Sequence, residues 1–310
     1  MAKMSQTVKE ITQVVVFLII VGGLLLVFVV YPLNRTKAIL ARPGVDEYDP
    51  DSLPANNISA FADLAADVDT FRVDADGLTS LACVYLTPAV DSGVAPVELR
   101  GTAILIHDER QDRTAMIPLA RALLDSGLAV CLYDQRACAL SSGRYHSDGE
   151  YEAADLTEVI GYLRIRDRII HPFVAAGRRA GADAALLAAV EEQRLDGVIA
   201  IEPYITSSRW LDILMAEHDM YWIPFRHTMF KFWYELRSDY APVYRGSESL
   251  RPPQCRTLIL DTEDQLADEA VSDYVQTADS GQIDTEPLPA EPDRLQERIL
   301  TFITSLGPGQ

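Results

Sequence analysis

Gly177-Arg178-Arg179-Ala180-Gly181 stands between an apolar strand-like run, His171-Pro-Phe-Val-Ala-Ala176, and a helix-like run, Ala180 to Glu192. A strand, a sharp glycine-flanked turn and a helix form the setting of a G-x-S-x-G nucleophile elbow. The central residue here is Arg179. A guanidinium stays protonated at any working pH and is not a nucleophile. The stretch therefore predicts an architecture built to present a nucleophile, without the nucleophile.

Working outward, strands and helices alternate. Strands are expected at Ala103–His107, Leu128–Asp134, Phe173–Ala176, Val198–Glu202, Thr257–Asp261 and Gln282–Glu286. Helices are expected at Ala115–Asp125, Glu150–Arg164, Ala182–Glu192, Leu266–Thr277 and Pro292–Leu306. Continuous apolar strands between amphipathic helices imply a mostly parallel sheet covered on both faces. Before them, Phe71 to Ala75 and Leu78 to Leu86 read as a hairpin joined at Asp76-Gly77.

The N-terminus has a different character. No charge occurs between Glu10 and Arg35, and Val14 to Val30 is wholly apolar or glycine, long enough to span a bilayer. A signal peptide would have a shorter apolar region followed by a small-x-small cleavage site, and Tyr31-Pro-Leu-Asn-Arg35 is a poor one. Residues 1–34 are thus expected to form an uncleaved single-pass anchor, and the lipid bilayer is the first expected partner. Lys3, Lys9 and the α-amine precede the span, and Arg35, Lys37 and Arg42 follow it. The positive-inside rule nearly ties, and the soluble part is placed outside the cytoplasm on a narrow margin. Residues 35–70, broken by Pro43-Gly44, Asp49-Pro50 and Pro54, read as a connector. Residues 71–310 read as one domain, with a cap at about 208–250.

Composition narrows the functions. A formal net charge of −19 over 310 residues argues against a nucleic-acid partner, which calls for clustered Lys and Arg. Cys83, Cys131, Cys138 and Cys255 are widely spaced and read as core thiols. The five histidines show neither H-x-x-x-H nor H-E-x-x-H spacing, so no metal is expected, nor any cofactor.

With these elements placed, the chain resembles the α/β-hydrolase superfamily, and most of all its membrane-anchored, serine peptidase/esterase-like members. Gly101-Thr-Ala-Ile-Leu-Ile-His107 is similar to the strand ending in the family's His-Gly. Leu132-Tyr-Asp-Gln-Arg136, followed by Ser141-Ser-Gly143, is similar to its D-x-R-G-x-G-x-S-x-G segment. Leu258-Ile-Leu-Asp-Thr-Glu-Asp264 is similar to the strand and turn that present the triad acid, which puts Asp264 at that position. The resemblance spans about residues 71–306 and implies an α/β-hydrolase fold.

Every departure from the family falls on the chemistry. Acyl transfer in this fold needs a nucleophile, a base and donors for an oxyanion. The nucleophile position is Arg179. The base should follow the last strand, within Leu288 to Asp293, and no histidine occurs after His227. The family's glycine after His107 is replaced by Asp108, whose carboxylate would repel an oxyanion, and glycine is also replaced at Ala137 and Ala139. A displaced Cys138 nucleophile with His107 or His146 as base is chemically adequate but geometrically demanding.

Arg178 and Arg179 stand at a helix N-terminus, where the dipole disfavours a cation, so they need anionic company. Asp108, Glu109 and Asp264 are the expected neighbours. Arg179 either closes the old site through an ion pair or, with helix N–H groups, holds a small anion. A solvated charge cluster is the plain alternative. All three tryptophans, Trp210, Trp222 and Trp233, fall in the cap stretch, where they form either its core or a contact surface. The expected function is that of a membrane-anchored pseudoenzyme, a scaffold or accessory subunit with a membrane-protein partner. The alternatives are an esterase, thioesterase or peptidase with a rearranged site, and an anion sensor.

Overall fold

In a computed structural model, the described residues are 6–31, 33–34, 55–64, 66–89, 98–109, 111–143, 147, 149–217, 228–229, 232 and 251–307. Contacts divide the chain into two units, residues 1–40 with 211–242 and residues 41–210 with 243–310. The first contains helix α1 (Gln6–Leu25), which continues as a π-helical turn over Leu26–Val30. Val8–Val30 has a mean hydropathy of 3.0 and is long and apolar enough to cross a membrane.

The second unit is built on one eight-stranded sheet in the order β1-β2-β4-β3-β5-β6-β7-β8. The strands are β1 (Ala66–Asp74), β2 (Ser80–Pro88), β3 (Thr102–Ile106), β4 (Ala129–Tyr133), β5 (Phe173–Arg178), β6 (Gly197–Ile201), β7 (Arg256–Asp261) and β8 (Ile283–Pro287). From β4 through β8 every pairing is parallel, while β1 with β2, and β2 with β4, are antiparallel. The hairpin turn is held by Asp76, whose Oδ1 accepts from the N–H groups of Leu78 and Thr79 at 3.0 and 2.6 Å. Gly77 takes φ 75° there, a conformation that favours glycine. Strand β1 begins at Ala66, five residues before Phe71, because Val68 and its neighbours pair along the whole length of β2.

The helices of this unit are α2 (Ile117–Asp125), α3 (Glu150–Ile165), α4 (Ala180–Ala188), the first turn of α5 (Ser207–Glu217), α6 (Glu263–Leu266), α7 (Glu269–Gln276) and α8 (Pro292–Ser305). The helix expected over Leu266–Thr277 is α7, which starts later, at Glu269, and is preceded by the separate turn α6. Asp268 accepts from Ala270 N–H at 2.8 Å and starts a new helix there. Strand alternation divides the core. Ile104, Ile106, Cys131 and Tyr133 pack under α3 and α4, and Ala103, Leu105, Val130 and Leu132 pack under α2 and α8. The central strands are buried on both faces, hence their uninterrupted apolar runs. Edge strand β8 buries only Ile283, and its half-buried Asp284 and Glu286 pair with Arg256 and Arg298; charges on an edge strand discourage strand addition.

Candidate functional site

The turn between β5 and α4 rises at the carboxyl edge of the sheet with Arg179 at its apex, at φ 52° and ψ −115°. A non-glycine residue in this region stores on the order of 1–3 kcal/mol of strain and persists only where its surroundings fix it. They do here. Arg179 N–H donates to Ile201 O at 2.8 Å, and Arg179 O accepts from Ala182 and Asp183 at 2.9 and 3.0 Å. Both flanking glycines are required by close approach. A Cβ on Gly177 would lie 2.1 Å from Gly181 O, and one on Gly181 would lie 2.5 Å from the carbonyl oxygens of Ile106 and His107. The elbow is thus pressed against β3 as tightly as backbone allows.

Beneath the apex lies the loop after β3. Arg179 Nη1 stands 3.7 Å from Asp108 Oδ2, and its guanidinium lies 5.4 Å from the centre of the Tyr204 ring. Tyr204 Oη donates to Glu109 Oε1 at 3.3 Å. Glu109 is 4% exposed, and its other oxygen has no hydrogen-bond partner among the described residues. Burial, reinforced by the neighbouring Asp108, pushes the Glu109 carboxyl well above the usual range. The cluster therefore combines a guanidinium with two carboxyl groups, and burial favours the neutral form of Glu109. Burial likewise raises the Tyr204 phenol, which stays protonated as a donor.

Of the expected site residues, the fold gathers Asp108, Glu109 and Arg179 and disperses the rest. Successive strand residues point to opposite sides, and Arg178 turns away to Glu202, with Nη2 to Oε2 at 2.7 Å. Asp264 is exposed on α6, and no ion pair among the described residues joins it to Arg179. The buried carboxylate at the end of β7 is Asp261, held by Arg209 at 2.6 Å. The loop Leu288–Glu291, where a base would follow β8, carries no histidine. Trp210 is 3% exposed, which corrects its reading as a contact residue: it faces the interior. Trp222, Trp233 and His146 lie outside the described residues.

The Cys138–His107 alternative fails on hydrogen bonding. Gln135 N–H donates to His107 Nε2 at 2.9 Å. That bond fixes the tautomer, so Nδ1 carries the proton and donates to Asp108 O at 2.6 Å. Both nitrogens are engaged, the ring is fully buried, and burial lowers its pKa. Cys138 is 2% exposed and donates through Sγ to Glu109 O at 3.1 Å. The neighbouring Ala137 and Ala139 sit at φ 56° and 39°, where glycine is favoured. Arg136 meets buried Asp155 through Nε and Nη2 at 2.7 and 2.6 Å. Among the described residues no group of three His, Cys, Asp or Glu side chains could hold a metal.

Tyr204, Glu202 and Arg209 were not legible as site residues. Each follows β6 or begins α5, in a stretch whose composition resembles any loop; the parallel register of β6 beside β5 brings Glu202 and Tyr204 to the elbow, while Arg209 meets Asp261 at the end of β7.

No protein-family model matches the chain, and no curated protein sequence matches it. Solved structures do. An esterase of Pyrococcus furiosus, Pf2001, superposes with a TM-score of 0.63 at 18% identity, covering 86% of this chain and 98% of the esterase. Est1E of Butyrivibrio proteoclasticus, solved with ferulic acid, gives 0.55 at 15% identity, covering 76% and 98%. A proline iminopeptidase of Mycobacterium smegmatis gives 0.53 at 12%, covering 77% and 98%. The chain has the α/β-hydrolase fold, with one N-terminal helix that is a candidate membrane span.

Proposed function

We propose that this chain is a membrane-anchored pseudoenzyme of α/β-hydrolase fold, retained as a scaffold or accessory subunit for a membrane-protein partner. One observation carries the reading: the apex that would present a nucleophile holds Arg179, which faces Asp108 at 3.7 Å across the position of an oxyanion hole. A tetrahedral oxyanion there would meet the Asp108 carboxylate on the loop that should supply donors. His107 is committed on both nitrogens and buried, so it cannot take up a proton from a nucleophile. The same ion pair argues against an anion sensor, since Asp108 already occupies the guanidinium. What remains for selection to hold is surface and location, which binding uses and catalysis does not need. The span Val8–Val30 supplies the location.

The neighbours in fold are esterases and a peptidase, so the competing reading is a hydrolase with a displaced site. A fluorophosphonate probe applied to the full-length protein in detergent distinguishes the two. No covalent labelling is expected, and mild-detergent affinity capture of the full-length protein should recover a defined membrane partner. Stoichiometric labelling at any serine would replace this reading with the hydrolase one.

A further inference from the structure

A cavity of about 260 Å3 lies between α3, α4 and α7, on the face of the sheet that those helices cover. Ala153, Ala154 and Thr157 line it from α3, Leu186 and Ala188 from α4, and Ile205 from the loop after β6. Ala153, Leu186, Ala188 and Ile205 are buried and give it an apolar wall. Three of these positions are alanine, which leaves unfilled the space that longer side chains would take. An engineered apolar cavity of about 150 Å3 stays dry and holds benzene. This one has room for a substituted ring.

Polar groups around the cavity are already engaged. Thr157 Oγ1 donates to Ala153 O at 3.1 Å. Ala188 O accepts from the N–H groups of Glu191 and Glu192 at 3.1 and 2.9 Å. At the rim Arg251 Nη1 stands 3.8 Å from Glu191 Oε1, and both side chains are exposed. Glu150, which also lines the cavity, is the first residue of α3, where the helix dipole favours a carboxylate. The wall at Ile205 is held under strain. Ile205 sits at φ 67°, a rare conformation for a β-branched residue. It is the centre of a tight turn in which Thr206 N–H donates to Tyr204 O at 2.7 Å, and its own N–H donates to Asp183 Oδ1 at 2.9 Å. Such strain persists only where the surroundings fix it, and it clusters at ligand sites.

We propose that this cavity binds a neutral aromatic or short-alkyl molecule of the size of an alkylbenzene. Its hydrocarbon would lie against Ala153, Leu186, Ala188 and Ile205, and burial of apolar surface would drive the binding. A charged ligand would lose its hydration against that wall, while Glu191 and Arg251 at the rim answer each other. The site is distinct from the elbow, and this inference does not depend on the reading of Arg179.

The test is titration of 4-fluorotoluene with full-length protein in lipid nanodiscs, followed by fluorine NMR, with protein-free nanodiscs at the same lipid concentration as blank. Saturable broadening beyond the blank is expected, with 4-fluorobenzoate at least about tenfold weaker. Ala188→Leu fills the cavity from α4 and Ala154→Phe obstructs it from α3, and each should weaken 4-fluorotoluene at least about tenfold. Ala154 is exposed, so a larger side chain there leaves the core alone, and an unchanged thermal unfolding midpoint would show its fold intact. No saturable excess over the blank, equal binding of 4-fluorobenzoate, or wild-type affinity in folded Ala154→Phe protein would each overturn the proposal.

Discussion

Arg179 and Asp108, 71 residues apart in the chain, meet at 3.7 Å where the turn after β5 crosses the loop after β3. In a hydrolase of this fold these two loops supply the nucleophile and an oxyanion donor. Here they supply a cation and an anion that face each other. The pair also resolves a local conflict, because a guanidinium at the start of α4 opposes the helix dipole and a carboxylate beside it offsets that.

Restoring serine alone should not restore hydrolysis. Arg179→Ser leaves a neutral alcohol with no base after β8, and it leaves Asp108 opposing the oxyanion. Turnover of p-nitrophenyl acetate by the purified variant is expected to match the wild-type background. A rate clearly above it, abolished by a second change to alanine at that position, would mean that a base exists where none is placed here.

The upward shift of the Glu109 pKa should be visible in stability against pH. Its folded pKa is raised by burial, so its contribution is fully present below the unfolded range, near about 4.3, and is lost as pH rises toward the folded pKa. Glu109→Gln keeps the neutral shape and has no proton to lose. Wild type should match the variant near pH 4 and fall behind by up to about 1.4 kcal/mol per pH unit above that. Urea unfolding of both proteins from pH 4 to pH 7 measures the gap, and parallel curves would show that Glu109 is ionised in the fold.

Two glycines should respond in opposite directions. Gly181→Ala would force a Cβ to within 2.5 Å of two backbone carbonyl oxygens, which cannot yield as a side chain can. A loss of about 3 kcal/mol or failure to fold is expected. Gly161, in α3, has nothing within 4 Å of its missing Cβ. Gly161→Ala should stabilise by roughly 0.5–1 kcal/mol through helix propensity. Denaturant midpoints of the two variants check both signs.

The Arg136–Asp155 pair should be costly to break from one side only. Both side chains are buried, at 3% and 1% exposure. Arg136→Ala strands a buried carboxylate, and a loss of about 3–5 kcal/mol is expected. Arg136→Lys should recover only part of it, because an ammonium cannot make the two-point contact. If Arg136→Ala unfolds at the wild-type urea midpoint, Asp155 has another source of compensation.

The sheet was legible because its signals are local. Apolar runs such as Ala103 to Ile106 have to be buried on both faces, and Gly177 and Gly181 bracket a turn that only glycine permits. Residue identities were legible too: Arg179 stands between the elbow glycines, and no histidine follows His227. Strand ends were less so: β5 runs on to Arg178 and β1 starts at Ala66, because pairing with a neighbour extends a strand beyond its own apolar residues. The sequence left Trp210 open between core and contact surface, since aromatic composition is the same for both; the fold buries it.

The sequence by itself determined the α/β architecture, the apolar N-terminal helix and the presence of Arg179 between the two elbow glycines, because periodicity, turn chemistry and residue identity are properties of short stretches. Tertiary structure alone decided which carboxylate meets Arg179, that Arg178 goes to Glu202, that burial raises the pKa of Glu109 and that both nitrogens of His107 are engaged. Those outcomes depend on distances of a few ångströms between segments far apart in the chain, and on burial, which sets the strength of every charge at the site.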